Sequence, residues 1–212
     1  MSKPHIVIGA GGHAKVLVDA MLLAGMEVLG LLDRDPGQAP KDVLGVPVLG
    51  DESLLQDHPP EDVDLVNAVG SVKTMNARRE VFERLCGQGY EFAVIRHPGA
   101  VVSPHAKLLE GAQVLAGAVV GPGATIGENA IVNTGAVVDH DCDVGAHCHI
   151  APGATLSGGV VVGEESHVGV GASVIQGVRL GRSCLAAAGA VVVRDALDGV
   201  TLMGVPARER ES

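Results

Sequence analysis

Every sixth residue from Val102 to Val192 is apolar, and four places further on in each hexad, from Ala106 to Ala196, stands a small or β-branched residue. The second series is mostly alanine, interrupted by Cys142, Cys148, Val160, Ser166, Val178 and Cys184. The register runs through without an insertion. An amphipathic helix repeats its apolar face every 3.6 residues and a half-buried strand every two, so neither produces a strict period of six. Hexapeptide repetition specifies a parallel β-helix, in which short strands of one coil lie on those of the next and aliphatic columns fill the interior. Composition agrees: 47% of the chain is hydrophobic, yet it holds no Trp, one Tyr and two Phe.

Three hexads close one triangular coil in the left-handed form of this architecture. Residues eighteen apart then stack at roughly 4.8 Å, and the repeat makes about five coils. Cys142, Cys148 and Cys184 fall on the small inward position and read as inert core thiols. With Cys86 they show no CxxC or disulfide-dense spacing, which suits a reducing compartment.

Residues 1–97 have another texture, and 98–212 form the coiled domain. An apolar strand, Pro4-His5-Ile6-Val7-Ile8, runs into Gly9-Ala10-Gly11-Gly12-His13-Ala14 and a helical stretch over 15–24. Strands are expected over 27–32, 46–50 and 64–70, a helix over 76–88, and a final connecting stretch over 92–99, giving a small Rossmann-like α/β domain. Gly9, Gly11 and Ala14 fit G-x-G-x-x-G/A, with Asp33 about 20 residues on. Glycines at a helix start admit any phosphate, so a nucleotide diphosphate fits as well as NAD. A sheet of roughly 95 residues, half a doubly wound unit, favours the nucleotide-sugar reading, and a plain strand-to-helix turn is the bland alternative.

Among nine histidines, His140 stands in Asn133-Thr134-Gly135-Ala136-Val137-Val138-Asp139-His140-Asp141-Cys142, off the core positions and between two carboxylates. A carboxylate beside an imidazole fixes one tautomer and raises basicity, as a general base near neutral pH requires; an inert surface histidine fits the same residues. Gly158, one coil on, offers an unobstructed N–H for a developing oxyanion. His149 and His167 stack eighteen apart, and half a coil separates His149 from His140. With prism sides of roughly 20 Å, they occupy different faces and meet at one site only through another subunit. His13, at a helix N-terminus, suits a neutral contact to substrate.

A formal charge of −10 argues against a nucleic-acid binder. No apolar run reaches membrane-spanning length, and Met1-Ser2-Lys3 leads into a strand without a signal pattern, so a cytoplasmic protein is expected.

The glycine loop, the Asn133–Cys142 segment and Gly204-Val205-Pro206-Ala207-Arg208 together resemble the sialic acid O-acetyltransferase and nucleotide-aminosugar N-acetyltransferase family of hexapeptide-repeat acyltransferases, across both domains. The resemblance implies a homotrimer with sites between neighbouring coils and acetyl-CoA along the intersubunit groove. It implies a nucleotide-linked amino sugar, often a 4-amino-4,6-dideoxy hexose, held by the N-terminal domain. His140 matches the general base and Asp141 the carboxylate that raises its basicity, where several members carry the longer Glu. Gly11, Gly12, His13, Asp33, Arg34 and Asn133 match substrate positions; His149, Gly158, Val170 and Ala188 match acetyl-CoA positions. No metal is implied, and O-acetylation of sialic acid or a related sugar hydroxyl is the alternative. A metal hydrolase on the same coil scaffold would need an H-x4-H zinc spacing that the sequence lacks. A non-catalytic nucleotide-binding regulator would leave Asp139-His140-Asp141 without a role.

Overall fold

The computed structural model describes residues 3–70 and 76–210, in two compact units, Met1–Pro98 and Gly99–Ser212. The first is built on a five-stranded sheet of β1 (His5–Ile8), β2 (Val28–Leu32), β3 (Asp42–Val43), β4 (Val46–Gly50) and β5 (Asp64–Asn67), in the order β3-β4-β2-β1-β5. All pairings are parallel except β3 with β4. Helices α1 (Gly12–Leu23) and α2 (Asn76–Cys86) cover the sheet, and a 3-10 turn spans Glu52–Asp57.

The strand expected over 64–70 ends at Asn67 and the helix expected over 76–88 ends at Cys86, and two further details differ from the sequence expectation. Helix α1 starts inside the glycine loop, three residues earlier than the apolar pattern announces, because helical backbone begins before the first side chain that packs. The β3–β4 hairpin turns on Leu44 and Gly45, both with positive φ (53° and 83°). A leucine in the left-handed region is a poor hairpin signal, so nothing local marks this turn.

The unit's core holds all three aromatic side chains of the protein. Phe82 and Phe92 stack at 4.7 Å, and the Tyr90 hydroxyl bonds the carbonyls of Leu55 and His58, both at 2.9 Å. Satisfying that hydroxyl lets Tyr90 be buried at low cost.

The second unit is a β-helix. One face carries the two-residue strands Val101–Val102, Val119–Val120, Val137–Val138, Thr155–Leu156, Ser173–Val174 and Val191–Val192, each parallel to the next. A second face runs from Lys107–Leu108 to Arg179–Leu180, and a third includes Gln113–Val114, Ile131–Val132, His149–Ile150, His167–Val168 and Leu185–Ala186. Every step between neighbouring coil strands in these rows is eighteen residues: Val119 faces Val137, Thr125 faces Asp143, Ile131 faces His149. The hexad columns Val120, Ile126, Val132, Val138, Val144 and Ile150 are fully or almost fully buried, and the alanine columns lie beside them.

The three inward cysteines are core groups, as their hexad places require. Cys142, Cys148 and Cys184 donate to the carbonyls of Ser157, Gly163 and Leu197, and Ser166 in the same small position donates to Gly181. Burial pushes all three thiols up, Cys148 to about 12. At the C-terminal end the Asp195 and Asp198 carboxylates accept the amides of Arg179 and Arg182, both at 2.8 Å, in place of a further coil. An antiparallel hairpin, Thr201–Gly204 with Ala207–Glu209, follows. Capped ends protect a solenoid's open edges from pairing with other chains.

Candidate active site

His140 follows the strand Val137–Val138, at the corner where the coil turns to the next face. Its own backbone is pinned: the amide donates to Asp139 Oδ1 at 2.7 Å, and the carbonyl accepts the Gly159 amide at 2.9 Å. Asp141 adopts a left-handed conformation, φ 56°, which Asp tolerates better than most residues. That backbone turns its carboxylate back onto the imidazole, and Oδ2 lies 2.9 Å from His140 Nδ1. One methylene less than Glu is enough to make this bond. With Nδ1–H donating to the carboxylate, Nε2 carries the lone pair. The Asp141 hydrogen bond and then the Asp139 charge raise the imidazole pKa above its ordinary value, against an opposing desolvation.

Space has been left around this pair. A Cβ on Gly158 would meet the His140 ring itself, Nε2 and Cε1, whereas a Cβ on Gly121, Gly127, Gly145 or Gly163 would strike the backbone of the next coil. Those glycines let coils approach; Gly158 lets the imidazole lie along the coil edge. Its carbonyl accepts the Gly177 amide at 3.0 Å, while its own N–H makes no hydrogen bond among the described residues. The Gly159 amide is spent on His140, so of the two adjacent glycines Gly158 is the one with a donor to offer.

A second group occupies another edge. His149 Nε2 lies 2.9 Å from the Asn133 side-chain amide, and its ring meets His167 edge-on at 4.7 Å. Burial lowers the His167 pKa. Val170 and Ala188 are exposed and stacked one coil apart, linked through the Gly189 amide and the Val170 carbonyl at 2.8 Å. The structure therefore brings His140, Asp141 and Gly158 together, and separately Asn133, His149 and His167. The two groups belong to different sheets of one prism.

In the N-terminal unit, a cleft of about 380 Å³ opens between the ends of β1, β2 and β5 and helix α2. Gly9 is required by its φ of 104° and by Ala68, 3.3 Å from where a Cβ would stand. Gly11 and Gly12 are different: a Cβ there would meet nothing within 4 Å, and Gly11 has φ −82°. The space those glycines keep free opens outward at the N-terminus of α1, where backbone amides and the helix dipole favour an anion. His13 sits in the first turn, half-buried, with its Cβ beside Gly70. Asp33 lines the cleft, but its carboxylate is occupied: Oδ2 accepts the Ala10 amide at 2.8 Å and Oδ1 the Asp35 amide at 3.0 Å. It braces the glycine loop, while Arg34 beside it is exposed on the lining of the same cleft.

Sequence reasoning missed two parts of this cleft. Arg78, fully buried, donates to the carbonyls of Asn67 and Val69, and the Asn67 side chain donates to the Arg78 carbonyl, fixing the wall from Ala68 to Gly70. Desolvation lowers the Arg78 pKa to about 9. Glu52 and Arg84 form an ion pair at 2.7 Å on the cleft lining. These residues carry no periodicity or motif and meet only through the tertiary fold. Among the described residues no three His, Cys, Asp or Glu side chains form a metal-binding group, and no helix is long and apolar enough to cross a membrane.

Residues 6–85 match the PglD N-terminal domain model, and 105–140 and 123–158 match the bacterial transferase hexapeptide model of six repeats. No significant match is found among curated protein sequences. A histidine-to-asparagine variant of perosamine N-acetyltransferase from Caulobacter crescentus, solved with CoA and GDP-perosamine, is 41% identical, with TM-score 0.92 over 100% of this chain and 99% of its own. The acetyltransferase domain of PglB from Neisseria gonorrhoeae FA1090, solved with acetyl coenzyme A, is 40% identical, with TM-score 0.91 over 99% and 100%. WeeI from Acinetobacter baumannii AYE shares the fold at 22% identity, with TM-score 0.85 over 99% and 100%. Matched over its whole length at this identity, and carrying both family domains, the chain belongs to the hexapeptide-repeat family of sialic acid O-acetyltransferases and nucleotide-aminosugar N-acetyltransferases.

Proposed function

We propose that this acetyltransferase moves the acetyl group of acetyl-CoA onto the amine of a nucleotide-linked sugar, with His140 as general base. The observation that carries the assignment is the pairing of an Asp141-held imidazole with a glycine whose side chain would collide with it. His140 Nε2 accepts the proton as the amine attacks the thioester carbonyl. The Gly158 N–H is the donor available to the developing oxyanion; collapse breaks the C–S bond, and the imidazolium passes its proton to the leaving sulfur, which releases CoA as the thiol and restores the base. The bound CoA and GDP-perosamine of one relative and the acetyl coenzyme A of another support these two ligands.

Gly11, Gly12, His13 and Arg34 take the nucleotide diphosphate, with Asp33 holding their loop. His149, Gly158, Val170 and Ala188 line the acetyl-CoA path, the last two stacked in line with the prism axis, and Asn133 orients the His149 ring. Since His140 and His149 lie on separate sheets, one site using both needs a second copy. A closed ring of three parallel prisms makes every such site equivalent. The reaction belongs in the cytoplasm, where four unbridged thiols stay reduced.

The test is kinetic. His140→Ala should lower kcat by about two to four orders of magnitude with acetyl-CoA affinity nearly unchanged. Co-refolded with an inactive His149→Trp chain, it should regain partial activity, because some mixed interfaces carry neither lesion. Near-native turnover by His140→Ala sinks the general base, and a fully active monomer sinks the trimer.

A further inference from the structure

The nucleotide cleft has a polar end that the acetyl-transfer chemistry does not use. Glu52 opens the 3-10 turn, fixed by the Asp51 carboxylate accepting the Ser53 amide at 2.9 Å, and Arg84 lies in the last turn of α2. Their ion pair leaves both side chains reachable, at 29% and 47% exposure, and both face the cleft. Between this pair and the glycine loop the lining is apolar, with Ala77 and Val81 of α2 across from the strand ends Ile8 and Leu32. The glycine loop and Arg34 supply what a diphosphate needs. This apolar lining, with a carboxylate and a guanidinium on it, supplies what a flat heterocycle needs.

We infer that Glu52 and Arg84 select guanine, so that the amino-sugar acceptor of this enzyme is a GDP-sugar; this rests on the nucleotide-sugar reading above and narrows it. Donor order distinguishes the bases. Guanine shows, along one edge, the O6 acceptor, the N1–H donor and the N2–H donor. Arg84 and Glu52 together present a donor followed by a two-oxygen acceptor, the complement of that edge. Uracil and thymine place two carbonyl acceptors around a single N–H, and cytosine and adenine place a ring-nitrogen lone pair where Glu52 needs a donor. Each would set an acceptor against the carboxylate. Arg84 pairs with Glu52 Oε2 at 2.7 Å, which holds the carboxylate in place, and a lone pair on each oxygen is left for the base.

Titration calorimetry of the full-length protein with GDP, IDP, UDP and ADP tests this. GDP should bind about 10- to 100-fold more tightly than UDP or ADP, the usual worth of hydrogen bonds to a charged group. IDP, which lacks the 2-amino group, should fall between. Glu52→Gln should abolish the preference for GDP while leaving UDP and acetyl-CoA binding where they were. Arg84→Met, which leaves Glu52 intact, should weaken GDP less and serves if Glu52→Gln does not fold. UDP binding as tightly as GDP, or a preference that survives Glu52→Gln, overturns the inference, as does a failure of every nucleoside diphosphate to bind. The acetyl-transfer reading stands or falls apart from this. Selective GDP binding without any acetyl transfer from acetyl-CoA to a GDP-amino sugar would sink that reading and keep only the selection of guanine by Glu52 and Arg84.

Discussion

His140 and His167 are imidazoles on the same six-residue repeat, and their surroundings drive them in opposite directions. His140 stands at an exposed corner, its Nδ1 tied to Asp141 and a glycine cleared from its path, and its pKa is raised. His167 lies on a face, half-buried against the His149 ring, and its pKa is lowered by desolvation. A regular scaffold does not make its histidines alike. What differs is the corner: there the chain accepts a left-handed residue such as Asp141, which folds a carboxylate back onto its neighbour, whereas His167 on its face packs against the His149 ring one coil away.

The sharpest way to break that comparison is at Gly158, where a Cβ would occupy the space of the His140 ring while the backbone N–H stays in place. In Gly158→Ala the methyl enters the space of the imidazole, so the ring must rotate off the Asp141 bond or be displaced. A shift of about 1 Å at a reacting group costs roughly 10²-fold in kcat. Circular dichroism and melting temperature should change little, since the position is at the surface and its φ is not left-handed. In a His140→Ala background, Gly158→Ala should cost almost nothing further, as expected of residues that act as one unit. Additive losses would mean that Gly158 serves the oxyanion or the cofactor independently of the ring.

Asp141→Asn sharpens the electrostatic half. Asn also tolerates the left-handed backbone, so the fold at the corner survives while the charge goes. A general base works in its neutral form, and the Asp141 bond raises the pKa at which that form appears. The acid limb of the kcat/KM profile should therefore move to lower pH in the variant, and maximal kcat should fall roughly 10-fold as the tautomer loses its lock. An acid limb that stays put would assign that limb to a group other than His140.

The coil was the most legible part of the molecule, because hexad periodicity is written into every sixth side chain and the eighteen-residue stacking follows from it. His140, Asp141 and Gly158 were legible for the same reason: register arithmetic places Gly158 over His140 before any coordinates are known. The bond between Asn133 and His149 was not, since it depends on side-chain rotation at a corner. The N-terminal cleft was half legible. Gly11 and Gly12 announce it locally, whereas Glu52 and Arg84, on a 3-10 turn and a distant helix end, and the buried Arg78–Asn67 clamp are brought together only by the sheet order β4-β2-β1-β5. Asp33 shows the limit of spacing arguments. It sits where a dinucleotide fold keeps its ribose ligand, yet both of its oxygens hold backbone amides.

The smallest expected effect is on stability, at the face histidine. Burial holds the folded-state pKa of His167 below its unfolded value, so in acid the unfolded chain binds the proton more readily than the folded one. Stability from this group is complete above the unfolded pKa and declines as pH falls below about 6.5. Protonation would also set a charge against the His149 ring, 4.7 Å away. His167→Gln keeps a polar group of similar length that does not titrate. Its urea midpoint should depend less on pH between 7 and 5 than that of the wild type, with the two proteins closest at pH 7. His140→Gln should act in the opposite sense, because a raised folded-state pKa contributes stability below the unfolded pKa and loses it as pH rises through the folded one. Its exposure keeps that contribution small. Matching pH profiles for the wild type and His167→Gln would show that the face does not distinguish the two protonation states, and the contrast between corner and face would then reduce to the Asp141 bond alone.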